Sequence, residues 1–236
     1  MGVVGTLGLP VLIFIVLGRT FSMGGSEGGS IAPAGSGGSL AQTPFNVPIL
    51  AALLIAVSAV LSLVAIISIY REGGILKRLR ATPLSPVTIL SAHVFVKLVF
   101  TVASLALLVL AGRQFFPGAV NVPLFSFTCA LLLGTLSILS MGFVIASIVP
   151  TARFAQPIGA ALLYPMVALS GLFFPLDLLP TGLRAVTYAL PTTHAVSLMQ
   201  AVWDGVGWAA SWSSVLALTL ILGACVAIST KVFRWE

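Results

Sequence analysis

Residues 47–70 read VPILAALLIAVSAVLSLVAIISIY, a stretch of 24 residues without a charged side chain. A helix rises about 1.5 Å per residue, so about 20 apolar residues cross the hydrocarbon core of a bilayer. The composition of the whole chain agrees, because 59% of its 236 residues are hydrophobic and 7% are charged. The sequence therefore predicts an all-α integral membrane protein, folded as one transmembrane domain over residues 1–236.

The same criterion, applied outward from this stretch, gives six candidate spans. The second, third and fourth are long and nearly free of charge, whereas the first and fifth are short. The approximate spans are residues 2–17, 47–70, 87–111, 124–149, 157–173 and 213–228.

Lysine and arginine assign the connecting segments to the two sides of the membrane, because they accumulate in cytoplasmic loops. With a cytoplasmic N-terminus, seven of these residues fall inside and three outside. The inner ones are Arg71, Lys77, Arg78, Arg80, Arg153, Lys231 and Arg234, and the outer ones are Arg19, Arg113 and Arg184. We therefore expect a multi-pass protein of a bacterial plasma membrane, surrounded by lipid, with both termini in the cytoplasm.

Two outer segments differ in character. Residues 18–46 are rich in Gly and Ser and predict a flexible loop, because such a composition buries too little side chain to become ordered. Residues 174–212 are apolar but interrupted by Pro and Gly. They predict either helices that re-enter the membrane from outside or an interfacial cap, with Trp203, Trp208 and Trp212 at headgroup depth.

The sequence shows no catalytic or metal-binding pattern. Neither G-x-x-x-x-G-K-[ST] nor G-x-G-x-x-G after a strand occurs, so no nucleotide cofactor is expected on this chain. H-E-x-x-H is also absent, and the G-x-S-x-G match at residues 24–28 lies in a Gly/Ser-rich stretch without the preceding strand and following helix that a catalytic serine of this motif needs. Cys129 and Cys225 lie in apolar stretches without a ligand partner at metal spacing. The net charge of +6 has no basic stripe with interleaved aromatics, so no nucleic-acid partner is expected.

One cation falls inside a predicted span. Lys97 lies about ten residues into the third span, and His93 precedes it by one helical turn on the same face. Intramembrane cations are functional candidates by default. Lys97 can also extend its ammonium toward the inner interface if the span begins a few residues later. Both interpretations remain open at this point.

The densest charge follows the second span, in the stretch REGGILKRLRATPLSP at residues 71–86. On a helical wheel Ile75, Leu76 and Leu79 form one apolar stripe, and basic residues cover the remaining face. Pro83 and Pro86 separate this short amphipathic helix, placed at residues 71–82, from the third span. Such a helix can lie on anionic lipid or insert its stripe into a groove of a soluble partner.

This stretch resembles the coupling segment of ABC transporter permeases of the type-2 class, especially the drug-resistance exporter branch. SGLFFPLDLLP at residues 170–180, followed by ALPTTHAV at 189–196, is similar to that class's signature near the fifth span. The sequence departs from the class pattern at Ile75, where Thr is common, and its first predicted span already begins at Gly2.

The resemblance implies an exporter subunit that pairs as a homodimer or heterodimer. It also implies a separate ATP-binding-cassette ATPase that carries ATP and Mg. The implied docking residues are Arg71, Glu72, Gly73, Ile75, Leu76, Lys77, Arg78, Leu79 and Arg80. The implied re-entrant element near the exit contains Ser170, Gly171, Phe173, Phe174, Pro175, Asp177 and Pro180.

The expected function is therefore outward transport of a hydrophobic or amphipathic compound, such as a drug, a natural product or a lipid-linked molecule. This chain itself is expected to be no enzyme. The alternative is a membrane scaffold, such as an immunity or assembly factor, that recruits a partner without transporting anything.

Overall fold

The computed structural model describes residues 8, 10–16, 47–73, 86–115, 123–148, 152–172, 176 and 179–232. Residues 8 and 10–16 are helical, and no strand occurs in the described ranges, so the expected all-helical fold is confirmed for them. A backbone in lipid must satisfy its hydrogen bonds internally, and a helix does so within one segment. The other helices are α1 (Val47–Glu72), α2 (Pro86–Phe115), α3 (Leu124–Ile148), α4 (Ala152–Ala168), α5 (Thr181–Tyr188), α6 (Pro191–Trp203) and α7 (Trp212–Val232).

Three described helices are long and apolar enough to cross a membrane. Their apolar parts are Ile49–Tyr70 in α1, Ser91–Gln114 in α2 and Leu124–Ala146 in α3. They coincide with the second, third and fourth predicted spans. The apolar part of α7 is shorter, at Trp212–Ile228. The total of six spans remains a prediction.

The helices α1 and α3 form the centre of the bundle. Of their most apolar segments, 67% and 61% are buried inside the chain, against 22% for α2. α1 packs against α3 and α4, whereas α3 also packs against α6 and α7. One core cluster contains buried side chains from all five of these helices, including Leu63, Leu139, Leu163, Leu198 and Leu218. α2 contacts α1 and α3 from the periphery.

Two glycines of α3 allow neighbouring helices to approach closely. A Cβ built on Gly134 would lie 2.9 Å from the Cβ of Ala195 in α6. A Cβ on Gly142 would lie 2.8 Å from Cγ1 of Val60 in α1. Small residues favour association of helices in lipid because dispersion contacts, rather than water exclusion, hold them together.

Helical structure is interrupted three times between α4 and α7. α4 contains Pro157 and Pro165 and ends at Ala168, and α5 is largely exposed. α6 begins with Pro191, which suits a first helical position because its missing N–H has no intrahelical acceptor there. Eight of the 13 residues of α6 are buried, so this helix is part of the bundle interior.

Candidate functional site

Aromatic rings pair α1 with α2 near one end of the bundle. Tyr70 lies two residues before the end of α1, and its ring centroid is 5.3 Å from that of His93 in α2. The ring planes are inclined by 59°. Offset and tilted aromatic pairs are favoured over a face-to-face stack because of the ring quadrupole. The pair aligns the two helices at this end.

Lys97 lies one turn beyond His93 and reaches α1. Its Nζ donates a hydrogen bond to Oγ of Ser62, and both side chains are only partly buried. Thr101 is buried and donates its hydroxyl to the carbonyl of Lys97 at 3.0 Å. The cation is therefore held across the interface between α1 and α2.

The position of Ser62 determines where the ammonium lies along the bundle. Ser62 is eight residues before Tyr70, which corresponds to about 12 Å of helix. The bond to Ser62 thus holds the ammonium well away from the Tyr70 end, which the charge distribution predicts to be cytoplasmic. Extension toward that interface, one of the two sequence interpretations, would carry the ammonium away from Ser62.

The charge-dense stretch begins at this same end. Arg71 and Glu72 close α1, and the exposed Gly73 continues its last turn by donating its N–H to the carbonyl of Ile69 at 2.9 Å. α2 then begins at Pro86. The other proposed docking residues, Ile75, Leu76, Lys77, Arg78, Leu79 and Arg80, lie outside the described residues.

The predicted exit element is described in part. Ser170 is buried and donates its hydroxyl to the carbonyl of Val167 at 2.7 Å. Gly171 has φ +85°, a left-handed conformation that favours glycine, and Leu176 lies against it. Pro180 precedes the first residue of α5. Phe173, Phe174, Pro175 and Asp177 lie outside the described residues.

α6 starts at mid-level of the bundle. Its Trp203 packs edge-to-face on Phe127 at 5.6 Å, and its Ala195 faces Gly134, so α6 runs antiparallel to α3. Pro191, one turn before Ala195, is therefore level with the middle of α3. Thr192 donates its hydroxyl to the carbonyl of Met166 at 2.9 Å, so α4 ends at the same level.

Neighbouring threonines at the start of α6 differ in their partners. The hydroxyl of Thr192 is bonded, whereas the buried hydroxyl of Thr193 has no hydrogen-bond partner among the described residues. The hydroxyls of Thr135 in α3 and Ser68 in α1 are likewise buried and have no hydrogen-bond partner among the described residues. A buried hydroxyl without a partner is destabilising, whereas a bonded one contributes about 1 kcal/mol.

We expect Thr192→Val and Thr193→Val to have different effects on stability, although the substitutions are isosteric and adjacent. Thr192→Val removes a hydrogen bond and should lower stability by about 1 kcal/mol, or about 2–4 °C in the apparent melting temperature. Thr193→Val should leave it unchanged or raise it. Thermal unfolding of the purified variants in one detergent measures both effects, and equal losses would contradict the assignment.

No group of three or more His, Cys, Asp or Glu side chains that could hold a metal occurs in the part of the chain that the structure describes. Cys129 and Cys225 are free thiols. Sequence reasoning identified His93 and Lys97 but missed their partners Tyr70 and Ser62, because only the pairing of α1 with α2 brings them together. Thr135 and Thr193 were also missed, since a threonine in an apolar helix has no distinguishing sequence signal.

Comparison with known proteins gives a consistent result. The family model described as "ABC-2 type transporter" matches residues 1–203. The "Inner membrane transport permease YhhJ" of Escherichia coli (strain K12) is 31% identical over 169 residues, which cover 70% of this chain and 44% of that relative. The protein of the same name from Shigella flexneri matches equally. The chain thus spans less than half the length of these curated relatives. No solved structure matches.

Proposed function

This chain belongs to the ABC-2 type transporter family, and from that premise we propose that it is the membrane-spanning subunit of an ATP-driven exporter. A hydrophobic or amphipathic compound is moved outward through a dimer of permease subunits. ATP and Mg bind to a separate ATP-binding-cassette subunit, which docks on residues 71–80 at the cytoplasmic side.

The observation that carries this proposal is the family match, which extends over residues 1–203 and therefore over α1 to α6. It agrees with three long apolar helices and with the absence of a nucleotide-binding motif from the sequence. We place the ATPase on a separate chain because no nucleotide-binding motif occurs within these 236 residues.

The interruption between α4 and α6 also supports transport. Both helix ends lie level with the middle of α3, and the intervening chain has non-helical backbone at Ser170 and Gly171. At membrane depth, irregular backbone is tolerated where protein or a water-filled path shields it. Transporters commonly build their pathways from such discontinuous helices.

Co-purification and transport measurements test the proposal. We expect the tagged full-length permease to retain an ATP-binding-cassette ATPase, and inverted membrane vesicles containing both to accumulate hydrophobic fluorescent compounds when ATP is added. Substitution of the phosphate-loop lysine in that partner should abolish the accumulation. The matched control is the permease with the intact partner and a non-hydrolysable ATP analogue, which should also be inactive.

The scaffold alternative predicts a different outcome. A permease-like scaffold would retain a partner, but its biological effect would survive the lysine substitution in the ATPase. Accumulation that is independent of hydrolysis, or a complete lack of any ATPase in the purified complex, would contradict the exporter assignment.

A further inference from the structure

Among the described residues, the ammonium of Lys97 has few groups that compensate its charge. It can donate three hydrogen bonds, and the structure gives it one, to the neutral hydroxyl of Ser62. Among the charged residues of α1 and α3, which pack against α2, the only acid is Glu72. Glu72 lies ten residues, or about 15 Å of helix, from Ser62. A cation in hydrocarbon is unfavourable unless an anion or polar groups compensate it.

The side chains around Lys97 give this position an amphipathic surface. His93 is partly exposed, and Val96, which follows it at i+3 on the helix, is 45% exposed. A molecule in the bilayer could therefore place an anionic group at one of the two basic side chains and an apolar chain against the exposed Val96.

The depth of the ammonium in the membrane argues for a ligand other than a membrane lipid in its usual position in the bilayer. Lipid phosphates lie in the headgroup region, whereas Ser62 holds the ammonium about 12 Å of helix from Tyr70. The ring of His93 packs against Tyr70 and therefore lies closer to the headgroup level than the ammonium does. The two residues thus offer successive positions to an anion that enters from the predicted inner side.

We propose that His93 and Lys97 form a binding site within the membrane for the carboxylate or phosphate of an anionic amphipathic molecule, and that the exported cargo carries this group. The identification of the anionic molecule as the exported cargo rests on the proposed function, whereas the binding of an anion at this site does not depend on it. Ser62 holds the ammonium in place until the anion replaces it as the partner.

Electron paramagnetic resonance on the purified full-length permease in lipid nanodiscs tests the site. The probes are chain-labelled stearic acid, chain-labelled phosphatidic acid and the neutral methyl ester of the labelled stearic acid. A hydrogen bond to a charged group contributes about 1.5–3 kcal/mol, so we expect stearate to associate at least about tenfold more tightly than its ester.

Substitutions in α2 test whether the preference for stearate over its methyl ester depends on Lys97. Lys97→Met should reduce the ratio of the two affinities to nearly one, and Lys97→Arg should retain the preference because the charge is kept. The matched control is Arg113→Gln, which removes an exposed cation at the far end of α2. Equal association of stearate and its ester in the unmodified protein would overturn the proposal without any variant, as would a preference retained in Lys97→Met.

The probes also distinguish the two sources of the anion. Binding of stearate that depends on Lys97 supports an anionic cargo, whereas binding of phosphatidic acid alone would assign the site to membrane lipid and overturn the cargo assignment. The measurement needs neither ATP nor a partner subunit. Its failure is therefore distinguishable from a failure of ATP-driven transport.

Discussion

Replacing Leu76 and Leu79 together by Asp is expected to release the ATPase subunit and to abolish ATP-driven transport. Each leucine buried in a partner groove contributes about 1.5–3 kcal/mol, and a buried carboxylate adds a desolvation penalty. A loss of about 3 kcal/mol or more corresponds to a weakening of binding by roughly 100-fold or more. Retention of the partner on the tagged permease, measured by quantitative co-purification, checks the expectation.

The matched control for this variant is Leu183→Asp, which places the same carboxylate on a leucine of α5 that is 46% exposed. This variant makes the same replacement of leucine by aspartate on the side of the protein that is predicted to face outward, so it should retain the ATPase. If the double variant at residues 76 and 79 keeps both partner and transport, the docking assignment is wrong. If the control also loses its partner, the effect is misfolding.

The second large effect is expected from Gly134→Ala. The added methyl group would lie 2.9 Å from the Cβ of Ala195, with the Cα of Ala195 at 3.7 Å, so relief requires a shift of backbone. Overpacking of this kind typically lowers stability by about 1–3 kcal/mol. We expect a corresponding fall in the apparent melting temperature of the purified protein, measured by intrinsic tryptophan fluorescence.

Two further variants make this prediction specific. Ala195→Gly removes the opposing methyl group, so the double variant Gly134→Ala, Ala195→Gly should recover most of the lost stability. Gly223→Ala is the matched control, because nothing lies within 4 Å of a Cβ at that position of α7. It should leave stability unchanged or raise it through helix propensity. A double variant less stable than Gly134→Ala would contradict the proposed contact.

Composition predicted the long helices well. α1, α2 and α3 follow from uninterrupted apolar stretches, because an apolar solvent permits one kind of isolated backbone structure and sets its minimum length. The helix α4 was harder, since the predicted span at residues 157–173 begins five residues after the helix does and runs past its end at Ala168. A sequence shows where a proline removes a backbone N–H group, but it does not show which neighbouring helices pack against the helix that contains this proline.

The candidate site was predictable only in its charged members. Lys97 and His93 stood out because charge is rare in this chain, and their helical spacing placed them on one face. Their partners Ser62 and Tyr70 belong to another helix, and their register depends on how α1 and α2 pack. The burial of α6 was equally unpredictable, because Pro191 and the short apolar stretch after it fit an interfacial helix as well as an interior one.

The close approach of Gly134 to Ala195 has a mechanical consequence. Sliding α3 along α6 by one helical turn would bring Leu131 or Ile138, which lie on the same face as Gly134, to a place where even a methyl group does not fit. This contact therefore opposes sliding of the two helices past each other. The helix α2, with 22% of its most apolar segment buried, has fewer contacts that oppose its movement than α1 and α3. Lys97 lies on this peripheral helix, while its partner Ser62 lies on the central helix α1.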